Sequence, residues 1–169
     1  MPACSSGIQL ATLLLATVIL AACAGEPPRS APAVAQPAPP AVGSRSQGGV
    51  SRRAAQVAVK QVGVPYRYGG HGESGFDCSG LVHFAYSRAG KSLPRTTHGL
   101  WRELEPVPSR DLRVGDVLFF DIEGKVSHVG LYLGASRFVH APSSGREVSI
   151  ASLDSDFYRS AFVRGGRPR

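Results

Sequence analysis

The sequence predicts an α+β domain in which N-terminal helices pack on a mostly antiparallel sheet. Three helical patterns come first: an amphipathic segment at residues 54–62, an apolar row directly after Cys78, and a capped segment ending at Leu104. Strand patterns come second, between residues 117 and 163. Because helices and strands are segregated along the chain, the α+β class is favoured over a parallel α/β sheet.

Each predicted helix carries a local signal. The first ends at Gly63, a residue that commonly stops helices. The second shows an apolar row at helical spacing, formed by Leu81, Ala85 and Ala89. Cys78 therefore lies at or next to the N-terminus of this helix. Thr96 or Thr97 is placed to cap the third helix.

The second half of the domain predicts hairpin-linked strands. Short apolar or alternating segments, separated by turn residues, place them at residues 117–121, 129–133, 137–141, 147–151 and 157–163. The tail at residues 164–169 is predicted to be loose.

An apolar run near the N-terminus predicts a signal peptide over residues 1–22. Residues 8–20 have the length of a signal-peptide core and are short for a membrane-spanning helix. The run ends in Leu20-Ala21-Ala22-Cys23, which resembles the lipobox of bacterial lipoproteins, so Cys23 is the expected lipidation site. The segment departs from that pattern in having no Lys or Arg among residues 1–9. An ordinary signal peptide with a coincidental cysteine is the alternative.

Residues 23–49 are predicted to be a disordered tether between the lipidated cysteine and a globular domain. The segment is rich in Pro and Ala and has no hydrophobic periodicity. At about 3.1 Å per residue, it would reach roughly 80 Å when extended. The domain is expected to occupy residues 50–169, which is long enough to bury a core.

The charge balance favours an anionic partner. Formal net charge is +7 and the isoelectric point is about 9.8. A membrane surface or an acidic polymer suits this balance. The sequence has no zinc finger, aromatic RNA-binding signature or helix-turn-helix pattern, so we expect no nucleic-acid partner. We expect a monomer that meets the membrane through its N-terminal lipid.

Cysteine usage singles out Cys78 as a candidate nucleophile. Cys4 lies in the predicted signal peptide and Cys23 would carry lipid, which leaves one free thiol in an exported protein. One thiol cannot form a disulfide within the chain, so catalysis is the leading reason to keep it. A helix N-terminus favours the thiolate over the thiol. The alternative is a small cysteine buried in the core.

Two histidines on predicted strands are candidates for the base that a cysteine nucleophile needs. His128 precedes one strand and His140 lies in another, and neighbouring antiparallel strands can bring such side chains onto one face. The other three histidines complete no second motif and are interpreted as structural. One Cys and two His also suit zinc, but no CxxC or HxxxH pair supports a metal site. We expect no metal and no cofactor.

Several motifs together resemble the NlpC family of bacterial cell-wall cysteine peptidases, from about Val50 to Val163. They are Pro65-Tyr66-Arg67-Tyr68-Gly69-Gly70, Phe76-Asp77-Cys78-Ser79-Gly80-Leu81-Val82, Leu93-Pro94-Arg95-Thr96, Gly115-Asp116-Val117-Leu118-Phe119-Phe120, Ser127-His128-Val129-Gly130-Leu131-Tyr132 and Phe138-Val139-His140-Ala141. The resemblance implies a compact papain-like fold. It also implies roles for four residues: Cys78 as nucleophile, His128 as general base, His140 as the group that orients it, and Tyr66 near the oxyanion.

The resemblance further implies cleavage of the D-γ-glutamyl bond to a diamino acid in peptidoglycan stem peptides. Asp77, Ser79 and Arg95 are candidates for contacting this charged substrate. For Arg95, a structural ion pair is the alternative. An amidase or acyltransferase on the same scaffold, and a lipoprotein that binds peptidoglycan without cutting it, are the competing hypotheses. The intact set of Cys78, His128 and His140 argues against a pure binding protein.

Overall fold

Four helices and eight strands form the domain in a computed structural model that describes residues 42–122 and 124–169, with side chains from Gly48 onward. The predicted signal peptide, Cys23 and the tether up to residue 41 lie outside the described residues. None of the described helices is long and apolar enough to cross a membrane.

The helices lie mainly in the first half of the domain. In chain order they are α1 (Val42–Val59), α2 (Cys78–Arg88), α3 (Thr97–Glu103) and the later α4 (Asp156–Ala161). The first helix starts eight residues before Val50, so it includes residues that the sequence analysis assigned to the tether. Thr96 caps α3, accepting a hydrogen bond from the Gly99 N–H at 3.1 Å.

Two sheets are present, and all their strand pairs are antiparallel. The first is a two-residue ribbon of β1 (His71–Gly72) and β2 (Gly75–Phe76). The second has six strands in the order β3-β8-β4-β5-β6-β7. Its strands are β3 (Glu105–Val107), β4 (Val117–Ile122), β5 (Lys125–Gly134), β6 (Arg137–His140), β7 (Ser149–Ser152) and β8 (Phe162–Arg167). The predicted α+β class with a mostly antiparallel sheet is confirmed.

The large sheet separates two groups of buried side chains. On one face, α1, α2 and α3 bury the main core, which includes Leu81, Tyr86, Phe119 and Leu131. On the other face, a smaller cluster around Phe120 is covered by α4 and its neighbours. The site described below lies at the edge of the main core, where α2 meets β5.

Two predictions for the C-terminal part of the chain are wrong. Residues 157–161 are helical, with Ser155 as the N-cap, and residues 164–167 are part of β8 rather than a loose tail. The Gly165-Gly166 pair suggested a loop, but the strand needs it, because a Cβ on Gly166 would lie 2.7 Å from the Phe119 ring. The strand is also held by Arg167, which binds the buried Asp116 carboxylate through bonds of 2.9 and 2.7 Å.

Candidate active site

Cys78 is the first residue of α2, as predicted. Asp77 caps the helix: its Oδ1 accepts a hydrogen bond from the Gly80 N–H at 2.7 Å. The preceding glycine-rich loop folds back on this cap, and the Asp77 N–H donates to Gly70 O at 3.0 Å. The close approach requires glycine at position 80, since a Cβ there would lie 1.9 Å from Gly70 O. The cysteine is thus held on a rigid helix start.

A cavity of about 620 Å³ opens over the sulfur of Cys78. Besides Cys78, its walls include Tyr66, Asp77, Ser79 and Arg95, so all five side chains predicted for the nucleophile and its substrate pocket lie together. Tyr66 is half-buried, and burial, followed by the nearby Cys78 and Asp77, raises the pKa of its phenol. This is a concave site with a few convergent polar groups, the usual form of a small-ligand site.

Arg95 and Asp77 form an ion pair inside this cavity. The two guanidinium NH2 groups donate to the two carboxylate oxygens at 2.9 and 2.7 Å, and they also reach Ser79 Oγ and Gly70 O at 3.0 Å each. Burial alone would raise the pKa of Asp77, but hydrogen bonds from Arg95 and Gly80 outweigh it and lower that pKa. The pair therefore fixes the cap of α2. The predicted contact of Asp77, Ser79 and Arg95 with substrate stays a prediction.

The Cys78 thiol contacts polar groups of α3 and β5. Its Sγ donates to Ser127 O at 3.9 Å and lies 3.9 Å from Thr97 Oγ1. Burial raises the pKa of Cys78, and hydrogen bonds from the Val129 N–H, Thr97 and the Ser79 N–H offset this only in part. The sequence analysis expected the helix terminus to favour the thiolate, whereas in the structure desolvation is the larger effect and favours the neutral thiol.

His128 and His140 contact each other directly. His128 Nε2 and His140 Nδ1 are 2.8 Å apart, and both side chains are buried, at 6% and 2% exposure. Their strands β5 and β6 pair with Leu131 opposite Val139, which puts the two histidines on one face of the sheet. Burial lowers the pKa of His128 to about 4, and burial together with His128 and Arg146 lowers the pKa of His140 to about 3. Both rings are neutral at neutral pH.

The contact with His140 leaves Nδ1 of His128 as the ring nitrogen that can act as a base. A hydrogen bond between Cys78 and His128 is not among those formed by the described residues. Catalytic hydrogen bonds are often long in enzymes without substrate and shorten in the complex. Ser127, which accepts from the thiol, is the neighbour of His128 on β5.

The structure adds residues that the sequence analysis did not identify. Tyr158 on α4 lies with its hydroxyl 3.4 Å from His140 Nε2, which extends the pair into a row of three side chains. Thr97, considered only as a helix cap, contacts the thiol instead, since Thr96 does the capping. Neither contact carries a sequence signal, because each depends on how separate helices pack on the sheet. Among the described residues, no cluster of three or more His, Cys, Asp or Glu is placed to hold a metal ion.

The same residues that build this site define a known family. A family model described as the NlpC/P60 family matches residues 63–167, well over half of the chain. The chain belongs to the NlpC/P60 family. The resemblance noted from the sequence motifs is thereby confirmed.

Individual relatives agree with this membership. The chain is 37% identical over 126 residues to murein DD-endopeptidase MepH of Escherichia coli K12, covering 69% of this chain and 46% of that protein. It is 35% identical over 121 residues to the γ-D-glutamyl-L-lysine dipeptidyl-peptidase of Bacillus subtilis 168, covering 70% of this chain and 41% of that protein. The chain thus spans less than half the length of these relatives.

Solved structures of NlpC/P60 proteins have the same fold. A crystal structure from Staphylococcus aureus Mu50, described as similar to lipoprotein, superposes with a TM-score of 0.63 at 30% identity. The match covers 70% of this chain and 41% of that one.

Proposed function

We propose that the protein is a cysteine peptidase that cuts the peptide stems of peptidoglycan. The observation that carries this proposal is the Cys78 thiol at the start of α2, in a cavity lined by Ser127, whose neighbour on β5, His128, contacts His140. The names of the relatives support peptidoglycan as the substrate. The basic charge of the chain suits an acidic polymer of this kind.

The chemistry begins with proton transfer from the Cys78 thiol to Nδ1 of His128, as the sulfur attacks the carbonyl carbon of a peptide bond. The negative charge that develops on the carbonyl oxygen is stabilised by N–H groups at the start of α2 and by the Tyr66 hydroxyl. His128 then gives its proton to the leaving amine, and a thioester remains on Cys78. His128 next takes a proton from water, the resulting hydroxide attacks the thioester, and the thiol is regenerated as the acid product leaves.

The histidine pair determines the direction of this proton transfer. For Nδ1 of His128 to accept the thiol proton, its Nε2 must carry hydrogen and donate to His140 Nδ1. His140 then carries its own hydrogen on Nε2, towards the Tyr158 oxygen. With the hydrogens placed in this way, the row of contacts supports the orienting role proposed for His140.

The bond that we assign is the one between D-glutamate and the diamino acid at stem positions two and three. The B. subtilis relative, named for a γ-D-glutamyl-L-lysine bond, supports this choice. The E. coli relative, named a DD-endopeptidase, favours a second candidate, the cut of a cross-link between stems. An amidase or an acyltransferase on this scaffold would use the same thioester with a different bond or acceptor.

Mass spectrometry of a peptidoglycan digest decides between these reactions. Incubation with the full-length protein should release fragments that begin at the diamino acid and leave disaccharides bearing a dipeptide. A DD-endopeptidase would instead convert cross-linked dimers into monomers with intact stems. Whole stems beginning with L-alanine would indicate an amidase, and unchanged muropeptides with an acylated added acceptor would indicate an acyltransferase. Either of these last two results would overturn the peptidase assignment.

We also propose that the protein is anchored in the cell envelope through lipid on Cys23, at the outer membrane and facing the periplasm. The Leu20-Ala21-Ala22-Cys23 motif supports the lipid. Ala24, rather than Asp, follows the cysteine, which supports delivery to the outer membrane. The Pro- and Ala-rich tether would let the domain reach the wall from there.

A further inference from the structure

A second cavity is lined by His128. Its volume is about 280 Å³, near the lower end of the range for small-molecule sites, roughly 300–1,000 Å³. His128 and Tyr158 line it together with Ser143, Arg146 and Phe157. Ser127 lines the Cys78 cavity, and the next residue along the strand, His128, lines this one. Two successive residues of β5 thus line the two cavities.

The loop that follows β6 links the two cavities. The Tyr66 N–H donates to Arg146 O at 2.8 Å, so a wall residue of the Cys78 cavity is hydrogen-bonded to a wall residue of the second cavity. The loop turns tightly here, with the Arg146 N–H donating to Ser143 O at 3.1 Å. The position of the Arg146 backbone is thus tied to a wall of the Cys78 cavity.

Arg146 supplies a positive charge to this cavity. Its side chain is exposed, and no salt bridge among residues 48–122 and 124–169 involves it. Burial lowers the pKa of His140, and the nearby Arg146 charge lowers it further. Burial raises the pKa of Tyr158, and the Arg146 charge offsets part of that rise. Phe157, 58% exposed, offers an apolar surface beside it. The cavity thus combines a cation with hydroxyl groups and aromatic rings.

We infer that this second cavity binds the amine side of the cleaved bond, and that Arg146 pairs with a carboxylate on the residue that is released. The inference rests on the proposed function, because it takes His128 as the group that protonates the leaving amine. The amine must lie beside His128 at that step, so the remainder of the leaving residue lies in the cavity that His128 lines. A released diamino acid has an aliphatic chain that suits Phe157 and a carboxylate that suits a guanidinium.

Two matched substrates test this assignment on the full-length protein. They are the tripeptide L-alanyl-γ-D-glutamyl-L-lysine and the same peptide with a C-terminal carboxamide, which differ only in the charge offered to Arg146. Arg146→Gln should lower kcat/KM for the carboxylate peptide by about tenfold, the usual scale of one partly exposed charged hydrogen bond. It should leave kcat/KM for the carboxamide within about twofold. Arg146→Lys should restore part of the loss.

Arg137→Gln is the matched control, because Arg137 is exposed at the start of β6 and lines neither cavity. Arg137→Gln should leave kcat/KM unchanged for both peptides. Equal losses on both peptides in Arg146→Gln would show a structural role and overturn the inference, as would no loss on either. If the wild-type protein cleaves neither peptide while Arg146→Gln remains folded, the proposed function itself fails, and the inference fails with it.

Discussion

At the scale of single residues, the proposed mechanism gives different roles to the two histidines. In the proposed mechanism His128 takes part in proton transfer, whereas His140 holds it in place through the 2.8 Å contact. We expect His128→Ala to lower kcat by about 10²–10⁴-fold, the usual contribution of a general base. His140→Ala should lower kcat by a smaller factor. His140→Asn should retain more activity than His140→Ala, because an amide can still accept from the imidazole.

Steady-state kinetics of the three variants measures their losses of kcat. Circular dichroism confirms that each variant is folded. His98→Ala provides a control, since His98 is exposed and lines neither cavity. A larger loss in His140→Ala than in His128→Ala would reverse the two roles.

The low pKa values of the buried histidines predict the pH dependence of activity. With a pKa of about 4, His128 stays unprotonated and able to accept a proton through mildly acidic conditions. The acidic limb of the kcat/KM profile should therefore lie well below pH 6.5, the ordinary value for histidine. A limb centred near pH 6.5 would contradict the buried, neutral pair.

The same shifts predict how stability changes with pH. Folding lowers the pKa of both histidines, so below about pH 6.5 the unfolded chain binds protons that the folded chain does not. Their contribution to the free energy of unfolding is fully present above pH 6.5 and is lost as the pH falls towards 4. Urea unfolding at several pH values measures this slope, which should become shallower in His128→Ala.

At the scale of elements, the start of α2 depends on the close approach of its backbone to the glycine-rich loop. Gly80→Ala would place a Cβ 1.9 Å from Gly70 O, so either the loop or the helix start must move. We expect a loss of about 1–3 kcal/mol in stability, typical of overpacking, together with a loss of activity as Cys78 is displaced.

Gly72→Ala is the matched control in the same loop. A Cβ at Gly72 would meet no atom within 4 Å, and the residue has no positive φ. Thermal melting and peptidase assays should show a loss of stability and activity in Gly80→Ala and neither loss in Gly72→Ala. Equal behaviour of the two variants would show that the contact at Gly80 does not position the cysteine.

How much the sequence reveals also differs between elements. Local signals predicted α2 and α3, because a cap residue and an apolar row act within a few residues. The strand β8 was predicted only at its first two residues, and the neighbouring Phe119 explains the glycine at position 166. Within the site, the motif residues were predicted, whereas Tyr158 and Arg146 were not. Both come from segments whose place beside His128 depends on tertiary packing.

At the scale of the whole molecule, the predicted anchor and tether determine where the domain works. Cys23→Ser should prevent lipid attachment and shift the protein from the membrane to the soluble fraction, because the small-residue motif would lose its acceptor thiol. Palmitate labelling and fractionation of cells measure this. Labelling that persists in Cys23→Ser would exclude Cys23 as the lipidation site.

The central claim is that the Cys78 sulfur attacks the stem peptide. It is tested most directly by comparing muropeptide release by the wild-type protein and by Cys78→Ala. The side chain is small and partly exposed, so the variant should keep its melting temperature. We predict that the wild-type protein releases fragments beginning at the diamino acid and that folded Cys78→Ala releases none. Unchanged release by folded Cys78→Ala would contradict the cysteine mechanism.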